Sequence, residues 1–483
     1  MEGVTSLKRK AIKGFFWQFV QKMTSQSISF LVSIVLARLL SPEEFGLVAM
    51  TGLFLSIASV FATSGLGASL VQKKDIDSLD CNSVFYAGLA LSVVAYSILF
   101  ISAPLIASLY HQPKLIWIVR AQGLWLLFSS ISSVQNAMVS RKLDFKQFFK
   151  VSLVSTIASA VVGLYMAFTG FGYWALIAQS FSASVISIIT MNRIVKWRPR
   201  LQFSFLRLKK LYSFGLNLTA ANLFGAFFNE LRSFLIGFHY SPADLAYANR
   251  GASLPSLFDS NIRGTISGIL FPAMSRLQDD KAMIKTSIRR SMMTTTFIIA
   301  PSMVLLSAIS DKVILIVYSS KWALAIPFMQ VVCFQYLFNI IGEANLQAMN
   351  AIGRSDITFK LEFIKKPLYL AIILYTLTIS PLAMVAGNTI YGLIGGTINA
   401  IPNKRLINYS YAEQLKDIGP QVMLAIMMGL FVYLIGRWNA NEYMVLAVQI
   451  IAGLAFYFIF AKLTKMESMI YLMKTINEVR KRQ

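Results

Sequence analysis

Apolar runs of membrane-spanning length recur along the whole chain, joined by short polar stretches. In lipid no water is available to bond exposed backbone groups, so only α-helices and closed barrels can cross. The runs are about 20 residues or more, the length a helix needs to cross ~30 Å of hydrocarbon and twice that of a barrel strand. The expected fold is therefore an all-α membrane protein with about fourteen transmembrane helices. The spans read from the sequence are 14–39, 46–70, 84–109, 115–140, 148–169, 173–195, 212–238, 243–272, 287–310, 322–350, 359–379, 382–401, 418–436 and 442–462. They use most of the 483 residues and leave no room for a soluble domain. Lys8, Arg9, Lys10 and Lys13 precede the first run. That run is longer than the apolar part of a signal peptide and no A-x-A-like site follows, so it reads as a first span and not as a cleaved signal. Cys81 and Cys333 have no metal or redox spacing around them and are expected to be free thiols.

The formal charge of +24 would suggest a nucleic-acid partner in a soluble protein. Here the charges lie between apolar runs, so they report topology and no nucleic acid is expected. With the N-terminus inside, 35 of the 45 Lys and Arg residues fall in the tails and inside segments, counted to include the inner ends of the adjoining spans. Only four fall outside, Lys114, Lys312, Lys321 and Arg437, and six fall within spans. This bias predicts a multi-pass protein with both termini cytoplasmic and an even number of spans.

An internal repeat organises the spans. Ser41-Pro42-Glu43-Glu44-Phe45-Gly46 follows the first span, and Ser241-Pro242-Ala243-Asp244-Leu245-Ala246 follows the seventh, at an offset of 200. Gln135 and Asp144 are spaced like Gln347 and Asp356, at an offset of 212. The expected organisation is an N-lobe of spans 1–6 (1–195), a basic cytoplasmic linker (196–211) and a C-lobe of spans 7–12 (212–401). Two additional spans (402–464) and a basic tail (465–483) follow. Each half begins on the same side, so the repeats are parallel, as in transporters whose halves surround a path. Phe203, Phe205 and Leu206 suggest that the linker lies on the membrane surface as an amphipathic helix.

The six cations within spans are Lys22, Arg38, Arg120, Arg232, Arg250 and Arg263. A cation near the bilayer centre costs about 2.5–3.5 kcal/mol on insertion scales, so it needs a partner or a function. Arg38 and Arg120 lie near span ends, where snorkelling accounts for them. Lys22 belongs to a stripe of Gln18, Gln21, Lys22, Ser25 and Ser29 on one helix face. The repeat places Asn222, Gly225, Asn229 and Ser233 on the matching face of span 7. Such a stripe must face protein or water, which leaves two readings, interhelical hydrogen bonding and the wall of a cavity. Arg250 and Asn261 share a face of span 8, and Asp259 and Arg263 have the i, i+4 spacing of an ion pair. Glu230, Asp259 and Glu343 are intramembrane carboxylates suited to neutralising an arginine or carrying a coupling ion. The set points to a path for something anionic. No P-loop, G-x-S-x-G, H-E-x-x-H or C-x-x-C occurs, so no catalytic residue, metal site or cofactor is expected.

Several stretches resemble a known family. They are Arg38-Leu39-Leu40-Ser41-Pro42-Glu43-Glu44-Phe45-Gly46, Ser140-Arg141-Lys142-Leu143-Asp144-Phe145-Lys146, Gly170-Phe171-Gly172-Tyr173-Trp174-Ala175-Leu176 and Pro272-Ala273-Met274-Ser275-Arg276-Leu277-Gln278-Asp279-Asp280. Together they resemble Wzx-type polysaccharide flippases of the multidrug/oligosaccharidyl-lipid/polysaccharide exporter superfamily, nearest the WzxC-like branch. The resemblance implies two six-helix lobes in a V shape plus two C-terminal helices, in a bacterial inner membrane. It implies a substrate, an undecaprenyl-pyrophosphate-linked oligosaccharide repeat unit flipped outward for O-antigen, capsule or exopolysaccharide synthesis. It also implies alternating access around a cationic cavity, with polymerase and chain-length proteins of the same pathway as partners. Lys22, Arg232, Arg250 and Arg263, with Gln18, Ser25, Asn222, Asn229 and Asn261, are the cavity candidates by position. The alternatives are a multidrug-type antiporter of the same superfamily, which the cationic spans disfavour, and a membrane polysaccharide polymerase, which the short outer loops disfavour.

Overall fold

The computed structural model describes residues 2–63, 65–275 and 280–482, with side chains described at 14, 16–63, 65–209, 219–262, 264, 274 and 280–474. Its elements are helical throughout, with no strand among the described residues. The early helices are α1 (Glu2–Leu39), α2 (Pro42–Ala49), α3 (Gly52–Thr63), α4 (Leu66–Gln72), α5 (Ser78–Leu109), α6 (Leu115–Gly123), α7 (Trp125–Arg141), α8 (Phe145–Phe168) and α9 (Trp174–Ile194). Next come α10 (Phe205–His239), α11 (Pro242–Ser275), α12 (Lys281–Ala308) and α13 (Ser310–Val313). A π-helical turn (Ile314–Tyr318) and a 3-10 turn (Ser320–Ala325) lead into α14 (Ile326–Ala351). The chain ends with α15 (Ser355–Leu377), α16 (Pro381–Leu406), α17 (Tyr411–Ile435), α18 (Glu442–Leu463) and α19 (Glu467–Arg482).

Ten helical stretches among the described residues are long and apolar enough to cross a membrane. The long helices outside that set are α10, α11, α15 and α16, of 35, 34, 23 and 26 residues. At 1.5 Å per residue each reaches across a hydrocarbon core of about 30 Å. They fall short in apolarity and not in length, and most of the polar candidates sit on them.

The repeat is physical. At the start of α2, Glu44 N donates to Ser41 Oγ at 3.3 Å, while Ser41 N donates to the Glu44 carboxylate at 2.7 Å. At the start of α11, Asp244 N donates to Ser241 Oγ at 3.1 Å, and Ser241 N donates to Asp244 Oδ2 at 3.2 Å. Both are reciprocal capping boxes that satisfy orphan N–H groups where water is scarce. The second match is shifted from the expected offset. The α7–α8 and α14–α15 turns share one pattern, Asp144 N to Val139 O and Arg354 N to Met349 O, with left-handed Leu143 (φ 54°) and Gly353 (φ 80°) before them. The equivalence is thus 210 residues, and Asp144 corresponds to Arg354. Asp356 instead pairs with Arg354 at 2.9 Å.

Two further expectations are corrected. The span at 46–70 is not one helix but α2, α3 and α4, with Gly65 left-handed (φ 64°) ahead of α4; the span at 115–140 holds as one membrane-crossing stretch, Leu115–Arg141, in which α6 and α7 meet at Leu124. The Arg141 guanidinium closes α4 from outside, donating to the carbonyls of Leu70, Val71, Lys73 and Lys74. The linker is not an amphipathic helix at its start, since 195–204 is non-helical. Asn82 Oδ1 accepts from Arg200 N at 3.2 Å and Ser83 Oγ accepts from Ser204 N at 3.0 Å, while Trp197 stacks edgewise on Phe85. These contacts give the backbone partners that a surface helix would have supplied internally.

The chain forms two compact units, Met1–Ala246 and Tyr247–Gln483. In the first, α1 packs on α8, α8 on α9, α5 on α7, and α10 on α3. In the second, α14 packs on α16, α12 on α14 and α17, and α17 on α18. Lipid offers no hydrophobic drive for helix pairing, so close approach of small residues carries much of it. Across α14–α16 a Cβ on Gly342 would lie 3.3 Å from Gly396 Cα. In the first unit the two capped turns themselves meet, because a Cβ on Gly46 would lie 1.8 Å from the Pro242 carbonyl oxygen.

Gly46→Ala is therefore expected to force backbone apart and cost about 1–3 kcal/mol. Gly225→Ala, with nothing within 4 Å of its Cβ position, is the control and should be neutral or slightly stabilising. Melting temperatures of both variants in detergent check this.

Candidate functional site

The stripe on α1 divides by partner. Gln21 Nε2 donates to Ser152 Oγ on α8 at 3.3 Å, and Ser25 Oγ lies 2.6 Å from the same hydroxyl. These two residues hold α1 to α8. Gln18, Lys22 and Ser29 are exposed. On α10, Asn222 and Asn229 are likewise exposed, while Ser233 and Arg232 are half-buried. Glu230 is half-buried against α3, where Ser56 hydrogen-bonds its carboxylate and a Cβ on Gly52 would lie 3.1 Å from Oε2. Arg232 is the charge acting on that carboxylate. Helices α1 and α10, related by the repeat and both within the first unit, thus each carry an exposed hydrogen-bonding edge.

In the second unit Arg250 is buried, with 8% of its surface exposed. Its guanidinium lies 4.8 Å from the Tyr318 ring centre and 4.9 Å from that of Trp322, and it hydrogen-bonds Tyr318. The rings come from the π-helical and 3-10 turns before α14, an irregular segment that aims two aromatic faces at one side chain. A planar, weakly hydrated guanidinium suits such a slot. Asn261 is half-buried and returns its Nδ2 to Leu257 O at 2.9 Å. Asp259 is buried with 1% exposed, and Glu343 is exposed on α14. The Arg263 side chain, and with it the expected Asp259–Arg263 pair, lies outside the described residues.

Two polar groups escaped the sequence reading. Lys365 on α15 is buried and bonds Glu362 at 2.5 Å, with Lys366 3.5 Å from the other carboxylate oxygen. Topology counting groups their charges with an inside loop although both lie in the span 359–379; α15 begins at Ser355, so Lys365 sits about 15 Å along the helix. The signal was present as Glu362 followed at i+3 and i+4 by two lysines, between Phe359, Phe363 and Ile364. The second group is a buried amide cluster. Asn345 and Gln414 exchange bonds of 2.7 and 2.9 Å, and Asn403 donates to Asn345 Oδ1 at 2.7 Å. It ties α14, α16 and α17 together. Nothing but spacing across three helices could have revealed it. Arg120, outside the candidate set, lies over the Phe100 ring at 4.1 Å.

A sequence profile for polysaccharide biosynthesis proteins matches residues 35–327, more than half of the chain. The chain belongs to this family. Among curated relatives, the succinoglycan biosynthesis transport protein ExoT of Rhizobium meliloti is 27% identical over 314 residues, 64% of this chain and 63% of that protein. The chain therefore spans somewhat under two thirds of ExoT. The lipopolysaccharide biosynthesis protein WzxC of Escherichia coli is 21% identical over 81% of this chain and 78% of its own length. Among solved structures, the lipid II flippase MurJ in an inward closed conformation aligns with a TM-score of 0.71 at 16% identity, covering 93% of this chain and 98% of that one. An inward-facing multidrug resistance MATE transporter aligns at 0.63 with 16% identity over 80% and 94%. These likenesses establish the all-helical fold of multi-pass membrane transporters.

Arg250→Lys is expected to lose the stacked geometry and destabilise the second unit by about 0.5–2 kcal/mol. Trp322→Leu should lower the melting temperature of the wild type but add little to Arg250→Lys, and a double-mutant cycle measured by thermal unfolding checks the coupling.

Proposed function

We propose that the chain is a flippase that carries lipid-linked oligosaccharide repeat units from the cytoplasmic to the outer leaflet of a bacterial inner membrane. The observation that carries this reading is the paired exposed edge, Gln18 and Lys22 on α1 and Asn222 and Asn229 on α10, in a member of a polysaccharide biosynthesis family. In a membrane such edges need protein or water beside them. A lysine among amides offers what a pyrophosphate-linked sugar requires, one cation for the phosphate and neutral donors and acceptors for hydroxyls. The names of ExoT and WzxC, both tied to polysaccharide synthesis, support the substrate class.

In this proposal the lipid carrier is undecaprenyl pyrophosphate, with its phosphates at Lys22 and Arg263 and its sugars along Gln18, Asn222, Asn229 and Asn261, while Ser25, expected on the same path, is taken up by its contact with Ser152. Arg232 and Arg250 form the later part of the path, and Glu230, Asp259 and Glu343 balance charge or couple an ion. Residues 1–195 and 212–401 act as the two lobes of the transporter, with 196–211 as linker and 402–464 as two added spans, and both termini face the cytoplasm. A polymerase and chain-length proteins receive the flipped unit outside. The task is transport, and no covalent bond changes.

Losing a charge-assisted contact costs about 1.5–3 kcal/mol, so Lys22→Gln with Arg263→Gln should cut surface polymer at least roughly tenfold. The measurement is polymer on a deletion strain complemented by the variant, with membrane levels of the protein checked by immunoblot. Wild-type polymer would overturn the assignment. Lipid-linked single units accumulating on the cytoplasmic side of the deletion strain separate a flippase from a polymerase.

A further inference from the structure

A cavity lies within the second unit. It has a volume of about 770 Å³ and is walled by α12, α17, the end of α18 and the start of α19. Each wall runs from charge to apolar surface. On α17, Lys416 is followed by Pro420, Met423 and Met427 at i+4, i+7 and i+11, one helix face. On α12, Lys285 and Arg289 are followed by Met293. The end of α18 runs in reverse, with Phe460 before Thr464 and Lys465.

The acids at the charged end are already engaged. Arg289 bonds Asp417 at 2.9 Å and Glu467 at 2.7 Å, Tyr409 donates to Asp417 at 2.7 Å, and Lys285 lies 3.5 Å from Glu413. The Arg289 hydrogen bond holds the Glu467 carboxyl below its ordinary range. Gln421 and Ser468, 2.7 Å apart, pin α19 beneath. Lys416 and Lys465 remain exposed at the mouth, in no ion pair among the described residues. Below them Met423 and Met427 are 67% and 49% exposed, so the apolar part opens sideways. From Lys416 to Met427 the face is about 16 Å long, half of a ~30 Å hydrocarbon core.

We propose that this groove binds one anionic glycerophospholipid of the surrounding bilayer, its phosphate between Lys416 and Lys465 and one acyl chain along Met423, Met427 and Phe460. Charge order, depth and lateral opening all match such a molecule. The groove is one leaflet deep, the reach of an acyl chain, and methionine side chains adapt to a chain of variable shape. Basic pockets between transmembrane helices select anionic head groups over zwitterionic ones.

The test is native mass spectrometry of the purified full chain in one detergent, titrated with phosphatidylglycerol or phosphatidylcholine. The wild type should retain phosphatidylglycerol preferentially. At the usual gain per basic residue, Lys416→Gln with Lys465→Gln should weaken that binding roughly thirtyfold and leave phosphatidylcholine unchanged. Met427→Trp, which fills the apolar end and keeps the charge, should weaken both lipids. Melting temperatures of the variants confirm that they are folded. Equal retention of the two lipids by the wild type, or undiminished phosphatidylglycerol binding in both variants, would overturn the proposal. So would displacement of phosphatidylglycerol by a polyprenyl pyrophosphate at equal concentration, which would give the groove to the transported lipid.

Discussion

Every backbone N–H and C=O in hydrocarbon must find its partner within the protein, and this requirement organises the whole molecule. Where a helix must break, its loose ends are tied by side chains. Ser41 with Glu44 and Ser241 with Asp244 close the starts of α2 and α11, and the Arg141 guanidinium closes the end of α4. Where the linker leaves helical geometry, Asn82 and Ser83 accept its N–H groups. The same demand governs polar side chains, which are either consumed in packing, as Ser25 and Ser152 are, or left at an edge that water or substrate must cover.

Cations in this protein have several fates, and their partners tell them apart. Arg120 and Arg250 lie on aromatic rings. Arg141 serves carbonyls and Lys365 serves a carboxylate one helical turn away. Lys22 is exposed on a face that also carries Gln18. An intramembrane charge is thus evidence of function only after its local contacts are known, and the proposed transport path rests on far fewer charges than the sequence contains.

Much of the fold could be read from sequence because hydrophobic length is a direct consequence of bilayer thickness. The helical class followed from that, whereas the repeat was read from the matching motifs at Ser41 and Ser241, and the polar α11 was placed by that repeat and not by its hydropathy. Helix breaks were less legible, since Gly65 and Leu124 interrupt apolar runs without changing their hydropathy. The second repeat was misaligned by two residues because matching letters, Asp144 and Asp356, were followed in place of matching turns. At the candidate site the polar faces were visible as helical spacing, but their division into packed and open residues was not. That division depends on Ser152, a hundred and more residues away in sequence. The Lys365–Glu362 pair was hidden because its charges were counted with the inside loop although the span 359–379 contains them.

The contact of Gly46 with Pro242 has a bearing on how the chain is assembled. The first compact unit ends at Ala246, beyond α10, so it draws on sequence made well after the linker. During synthesis α1 to α9 emerge without the turn against which α2 finally rests. Their arrangement is provisional until α10 has entered the membrane and its capped end has arrived. A chain cut in the linker would separate the first compact unit from its own last complete helix, α10.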